Sequence, residues 1–260
     1  MLKQDQWNTS VFHNSPILHQ LSALTRNFSN YTNWPTLSDY QSIFKLKHIG
    51  ITPVAQATHI ESFEDQYEPR VYLKQELQTR TENWHDFFNA MVWLSFPNTK
   101  KKLNSLHFDT ASNREPGTNR STLENRITQF DECGAVIITS NKNLLELIQN
   151  HQWKELFIEH KESFENEIKC VVFGHAIFEK ALSPYIGMTC HCILINDNTL
   201  LKEAQEDNYT NLDLHLASLW EDTPANEIGR FNALPILGIP GYWSDQSVNF
   251  YDNEKYFRSK

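Results

Sequence analysis

The stretch GAVIITS, residues 134–140, is an apolar and largely β-branched run, which predicts a buried β-strand. Two further runs, IKCVVFG at 168–174 and MTCHCILIN at 188–196, predict two more strands. Helical patterns follow these strands or lie between them, at 143–164, 175–182 and 212–220. Strands that alternate with helices predict an α+β or α/β fold, in which a small sheet is packed by helices on at least one face.

The rest of the chain is expected to complete a single compact domain. The 260 residues are 40% hydrophobic, which is enough apolar surface for one sizeable core. Residues 1–60 are polar and are predicted to wrap around a main body formed by residues 61–260. Short helices are expected near 15–25 and 37–46, and RVYLKQEL at 70–77 predicts a strand or extended segment. The aromatic tail from Gly238 onward is predicted to pack onto the body.

Composition and charge restrict the class of protein. The formal net charge of −9 and the pI of about 5.6 disfavour binding to nucleic acid. No stretch approaches the roughly 18 consecutive apolar residues of a membrane span, and the polar N-terminus lacks the apolar core of a signal peptide. We therefore expect a soluble cytoplasmic protein whose partner is a small molecule or another protein. The cationic run NTKKKLN at 98–104 is interpreted as a solvated helix face.

The four cysteines are expected to be reduced thiols in a cytoplasmic chain. Cys190-His191-Cys192 resembles a fragment of a metal site. However, MTCHCILIN alternates as a strand does, so the two cysteines would share one face and His191 would lie on the other. We interpret them as buried cysteines that behave as small hydrophobic residues.

The stretch NWHDFFNAMVWLSFPNTK, residues 83–100, predicts a largely buried helix that ends or kinks at its proline. His85 and Asn89 are four residues apart and share a helix face, whereas Asp86 lies about 100° around the axis. A buried aspartate must be paired or hydrogen-bonded, because desolvation of its charge is costly. Two interpretations stay open: a structural network in which Asp86 pairs with a neighbour such as Arg80, or an acid/base site formed by His85, Asp86 and Asn89.

The stretch FGHAIFEKALSPY, residues 173–185, places His175 and Glu179 on one face of a short helix directly after a strand. Functional groups often lie beyond the carboxyl ends of strands in open sheets. Glu179 would orient the imidazole for acid/base work, or both would bind a metal. The alternative is a surface pair that contributes a few tenths of a kcal/mol to stability.

The adjacent carboxylates of TQFDECGAV, Asp131 and Glu132, are predicted to lie in a turn between a helix and the first strand of the sheet. They are either a solvated loop or ligands for a hard cation such as Mg²⁺, which takes one or two carboxylates together with waters. With His175 and Glu179 they form the candidate metal-binding set, for which the cofactor would be a divalent metal. In NSLHFD, His107 is predicted to lie in a loop or strand.

Several blocks of the sequence together resemble the bacterial domain-of-unknown-function family 3025. The blocks are TRTENWHDFFNAMVWLSFPNTKKKLNSLH, TQFDECGA, VVFGHAIFEKALSPYIGMT and LPILGIPGYW with the later FYD and YFR. Their order and spacing match from about residue 60 to residue 258. The resemblance implies a soluble bacterial protein. That family carries no established activity, so the resemblance assigns no role to any residue.

The residues leave two classes of function open. One is an enzyme that performs acid/base or metal-assisted hydrolysis in a pocket of His, Asp and Glu side chains. The other is a non-catalytic binding or protein-interaction module in which these side chains form a structural network. The enzyme hypothesis predicts that the helices of His85 and His175 pack side by side, with both imidazoles within about 10 Å across one cavity.

Overall fold

A four-stranded mixed sheet organises the computed structural model, which describes residues 6–115, 117–222 and 231–260. Its strands lie in the order β4-β3-β5-β6, and β3 runs parallel to β5 but antiparallel to β4. A second sheet consists of two short parallel strands, β1 and β2. The strands are β1 (Thr52–Val54), β2 (Glu76–Gln78), β3 (Gly134–Thr139), β4 (Ile168–Val172), β5 (Thr189–Asn196) and β6 (Asn232–Pro235).

Helices surround the two sheets, so the protein is one α+β domain. The α-helices of the described residues are α1 (Val11–Asn14), α2 (Pro16–His19), α3 (Ser22–Thr25), α4 (Leu37–Leu46), α5 (Tyr67–Lys74), α6 (Trp84–Ser95), α7 (Pro97–Ser112), α8 (Thr122–Cys133), α9 (Lys142–Gln149), α10 (Lys161–Glu167), α11 (His175–Lys180), α12 (Asn198–Gln205) and α13 (Thr210–Asp222). This architecture confirms the predicted α+β class.

The central strands and their helices form where the sequence pattern predicts them. Every residue of β3 is buried, as its continuous apolar run requires. Ser121 caps α8 in a reciprocal capping box with Glu124, which satisfies backbone N–H groups that a helix start leaves unpaired. The sequence missed β1, which is too short to show a strand period, and it also missed α12. Of the predicted strand at 70–77, only the last two residues belong to a strand, β2.

Three predictions from the sequence are wrong. The segment at 70–77 is mostly helical, because it continues α5, and Gln75 ends that helix in a left-handed conformation (φ 55°). The helix after Pro97 extends to Ser112, so His107 lies within α7 instead of in a loop or strand. Lys100 of the cationic run is buried, whereas Lys101 is solvated as expected.

The N-terminal segment lies against the main body. Trp7 stacks on Trp84 of α6 with ring centroids 5.2 Å apart. The Gln20 side chain pairs with both backbone groups of Val172, donating to its carbonyl oxygen (2.8 Å) and accepting from its N–H (2.7 Å). Residues 1–5 lie outside the described part of the chain, and the proposed boundary at residue 60 stays a prediction.

The C-terminal tail packs onto the same body. The Tyr256 hydroxyl donates to the carbonyl oxygen of Met188 (2.7 Å), and the side chains of Tyr256 and Phe257 are buried. A Cβ added at Gly238 would lie 2.7 Å from the rings of both Phe157 and Phe257, so the tail closes tightly only because glycine stands there.

Two further expectations concern the cysteines and the membrane. Cys190 and Cys192 are buried and His191 points to the other face of β5, as the alternation predicts, and all four cysteines are free thiols. In the parts of the chain that the structure describes, no helix combines the length and apolarity needed to cross a lipid bilayer.

Candidate metal centre

Three helices bring titratable side chains together at one end of the sheet. His85 lies in the first turn of α6, which Asn83 caps by accepting from the N–H of Asp86. Glu132 lies in the last turn of α8, and His175 is the first residue of α11. Asp131 and Glu132 are therefore helical, and not part of the turn that the sequence predicts.

A glycine makes this convergence possible. A Cβ at Gly174 would lie 2.5 Å from the carbonyl oxygen of Glu132 and 2.5 Å from the backbone nitrogen of Gly134, which is closer than real Cβ contacts allow. Because Gly174 has no side chain, the start of α11 reaches the end of α8. His175 is consequently placed beside Glu132.

The two imidazoles face each other through their Nε2 atoms, which are 3.0 Å apart. Glu132 Oε2 lies 3.5 Å from His175 Nε2. One ligand atom each from His85, Glu132 and His175 lie within 4.8 Å of one another, a set that could hold a metal ion. The proximity of the two histidines that the enzyme hypothesis predicts is thus observed.

The pKa values of the two histidines are shifted in opposite directions. A hydrogen bond between His85 Nδ1 and Glu179 Oε2 (2.8 Å) raises the pKa of His85. Burial lowers the pKa of His175 to about 3, so His175 is neutral at neutral pH. Its Nδ1 atom is buried without a hydrogen-bond partner among the described residues, although Asp131 Oδ2 lies 3.7 Å away. Such an unsatisfied buried polar atom is uncommon in proteins.

A second layer of polar groups supports this cluster. Lys100 Nζ donates to Asp131 Oδ1 (2.5 Å) and to Asn89 Oδ1 (3.0 Å), and Asn89 donates to the Tyr67 hydroxyl (2.6 Å). Burial would raise the pKa of Asp131, but the charge of Lys100 and its hydrogen bond lower it overall. Asp131 therefore stays ionised next to His175.

The sequence analysis missed Lys100, although its spacing held a signal. Four buried residues of α7 are spaced three, one and three positions apart: Lys100, Leu103, Asn104 and His107. That spacing is the buried face of an amphipathic helix, and it contains a lysine. The short lysine run instead predicted a solvent-exposed helix face.

A cavity of about 360 Å³ opens beside the cluster. Its polar lining includes both histidines and the carboxylates of the cluster, together with side chains from α5 and α7. The lining residues that matter here are Tyr67, Glu68, Arg80, His85, Asp86, Asn89, His107, Arg120, Asp131, Glu132 and His175.

The residues proposed from the sequence occupy distinct positions around this cavity. Glu179 contacts the Nδ1 atom of His85, on the side away from the facing Nε2 atoms. Asp86 is paired with Arg80, whose Nη2 lies 2.8 Å from Asp86 Oδ1 and whose Nε lies 3.0 Å from Oδ2, as the structural interpretation expected. Burial raises the pKa of Glu132.

Residues 51–260 match the sequence model of the family described as "Protein of unknown function (DUF3025)". The chain belongs to this family. No curated protein and no solved structure matches the chain. Family membership confirms the resemblance seen in the sequence motifs and assigns no activity, so any functional argument must come from the geometry of the site.

Proposed function

We propose that this DUF3025 protein is a metal-dependent hydrolase whose metal ion is bound by His85 Nε2, His175 Nε2 and a carboxylate oxygen of Glu132. The observation that carries the proposal is the pair of Nε2 atoms 3.0 Å apart with a carboxylate beside them, at the wall of an open cavity. Two imidazoles and one carboxylate, with a position left open for water, form a common catalytic metal site.

The surroundings of the two imidazoles support a metal. Glu179 accepts from His85 Nδ1, and a carboxylate in this position fixes the tautomer in which Nε2 is free to bind a metal. His175 is neutral, as a histidine ligand must be. Nitrogen and oxygen donors in this combination suit zinc, iron(II) or manganese, and elemental analysis would distinguish them.

The proposed chemistry is metal-assisted hydrolysis in the cavity. A bound divalent ion lowers the pKa of water and polarises the bond to be cleaved. His85 and His175 would hold the ion together with Glu132, and Glu179 would orient His85. Lys100 would keep Asp131 ionised beside His175, and Asn89 would position Lys100. The acidic net charge favours a small molecule or a protein over nucleic acid as the substrate.

The alternative is a non-catalytic module in which the same side chains hold helices together. The cavity beside the two facing Nε2 atoms argues against it, since side chains that only hold helices together need no open space next to them. Metal content separates the two functions. Protein purified without an affinity tag or added metal should contain about one transition-metal ion per chain by elemental analysis.

Variants of the ligands sharpen this test. We expect Glu132→Gln, which preserves the volume of a partly exposed side chain, and His85→Ala to lose the metal while thermal unfolding of the metal-free protein stays near wild type. The matched control is His191→Ala, because His191 is half-buried on β5 and does not line the cavity. Wild-type protein without bound metal, or a loss of folding in both ligand variants, would favour the structural module.

A further inference from the structure

Four carboxylates line the cavity, and two of them form an ion pair. Asp86 pairs with Arg80 and Asp131 with Lys100, while the third, Glu132, lies near His85, whose charge acts to lower the Glu132 pKa. The fourth, Glu68 of α5, forms no ion pair with any residue that the structure describes. Partly buried carboxylates without a cation are unfavourable when ionised, so this one needs an explanation.

The carboxyl group of Glu68 is held in place at the cavity wall. The side-chain amide of Asn104 on α7 donates to Glu68 Oε2 and also to the backbone oxygen of Glu68 (3.0 Å). Asn104 is buried, with 6% of its surface exposed, so it has little freedom to move. One carboxylate oxygen of Glu68 therefore has a fixed donor, while the other is left without a hydrogen bond to any described residue.

We propose that Glu68 is the proton carrier of this site, taking a proton from the attacking water and returning it to the leaving group. This role rests on the proposed hydrolytic function. The water oxygen forms a bond to the electrophilic carbon or phosphorus atom, and the released proton moves to the Glu68 carboxylate. When the scissile bond breaks, the leaving group keeps the bonding electron pair and receives the proton from Glu68. No oxidant or reductant is needed.

The charges that face Glu68 suit this task. Burial and the charge of Asp131 on α8 raise the pKa of Glu68, while the Asn104 hydrogen bond and the charges of Lys100 and Arg120 lower it, and the outcome is a pKa of about 7. His107 of α7, which lines the same cavity, is held neutral because burial lowers its pKa. A group with a pKa near the working pH both accepts and donates protons efficiently.

The other cavity carboxylates do not fit this role. The pKa of Asp131 is lowered and its Oδ1 atom is occupied by Lys100, so it is a poor proton donor. Asp86 accepts three hydrogen bonds from Arg80. Glu132 belongs to the proposed ligand set. Glu68 is the cavity carboxylate that remains.

A titration of the Glu68 carboxyl carbon by ¹³C NMR tests the proposal without a substrate. The protein is labelled at glutamate side chains and measured both metal-free and loaded with Zn²⁺, and the Glu68→Gln variant assigns the signal. We expect a midpoint near 7 in the metal-free protein. Zn²⁺ should lower it by at least about one pH unit, because a dication in the same cavity favours the anion. The signal of exposed Glu64 should not respond to Zn²⁺.

A second measurement uses the metal ion to detect the electrostatic coupling between Glu68 and the metal centre. In the Co²⁺-loaded protein, the visible spectrum reports the ionisation of water at the ion. Glu68→Gln should keep one Co²⁺ per chain but shift the midpoint of the spectral change, whereas the matched Glu64→Gln variant should behave as wild type. A Glu68 midpoint below about 5, or a midpoint indifferent to Zn²⁺, overturns the proton-carrier role while the metal centre stands. Absence of bound metal overturns the metal centre, and the proton-carrier role with it.

Discussion

Two polar networks are buried along α7, and they differ in how completely they are satisfied. At the start of the helix, the Asp213 carboxylate of α13 accepts from the backbone N–H of Asn98 (2.9 Å), the N–H of Thr99 (2.8 Å) and the Thr99 hydroxyl (2.7 Å). At the next residue of the helix, Lys100 joins the network of Asp131 and His175, where His175 Nδ1 has no partner among the described residues. The first network is closed and the second is open.

This difference separates stability from function. Asp213 is 2% exposed, yet its carboxylate is stabilised by α7 donors that a helix start leaves unpaired, so it joins α13 to α7. The open network leaves two imidazole nitrogens facing each other, and Glu68 in the same cavity forms no ion pair with any described residue. Proteins tolerate such conflicts mainly at functional sites. The closed network should therefore govern unfolding, and the open one should govern metal binding.

The largest effect is expected at the closed network. Asp213→Ala removes the carboxylate that accepts these hydrogen bonds. Several buried donors at the start of α7 then have no acceptor. We expect a loss of about 3–5 kcal/mol in the free energy of unfolding, which is typical when one partner of a buried charged network is removed. Denaturant unfolding of the metal-free protein measures it.

The control for this prediction is Asp109→Ala, an exposed aspartate on the same helix, which should change stability by less than about 0.5 kcal/mol. The comparison of the two networks fails if Asp213→Ala unfolds as readily as the control variant does. It also fails if Asp213→Ala loses metal while its fold stays intact.

Local patterns predicted much of the fold and only part of the site. The central strands follow from apolar runs, and α6 follows from its apolar periodicity and from the proline after it. The strand prediction for the segment at 70–77 is wrong because its apolar residues fit the period of a helix as well as that of a strand. His85 and His175 stood out by residue type, but they are 90 positions apart. Their contact depends on the packing of α11 against α6, which no local pattern encodes.

A smaller effect is expected at the edge of the open network. Glu179→Gln keeps the shape of the side chain but removes the charge that orients His85. We expect metal affinity to fall about 10- to 100-fold, which corresponds to about 1.4–2.7 kcal/mol. Competition with a chromophoric chelator measures the affinity, with Glu146→Gln, an exposed glutamate of α9, as the control. Unchanged affinity in Glu179→Gln would remove Glu179 from the site.

The pH dependence of stability probes the unpaired carboxyl group. Because the folded-state pKa of Glu68 is raised from 4.5 to about 7, its protonated form favours the fold. That contribution is complete below about pH 4.5 and is lost as the pH rises through 7. Since the side chain is only partly buried, we expect Glu68→Gln to stabilise the metal-free protein by about 2 kcal/mol at pH 8 and by little at pH 4.5. Equal effects at both pH values would contradict the raised pKa.

The smallest effect is expected at Arg80–Asp86, which lies in the cavity wall and belongs clearly to neither network. The pair has good geometry, but the Arg80 side chain is 49% exposed, and water screens exposed ion pairs. We expect Arg80→Ala to cost less than about 1 kcal/mol in the free energy of unfolding and to leave metal content unchanged. Unfolding and elemental analysis of the same preparation measure both quantities. A normal metal content in Arg80→Ala would show that the metal centre does not depend on the Arg80–Asp86 pair. That result is expected if the pair is purely structural. Loss of metal with the fold intact would instead place Asp86 in the open network, as the acid/base hypothesis for His85, Asp86 and Asn89 requires.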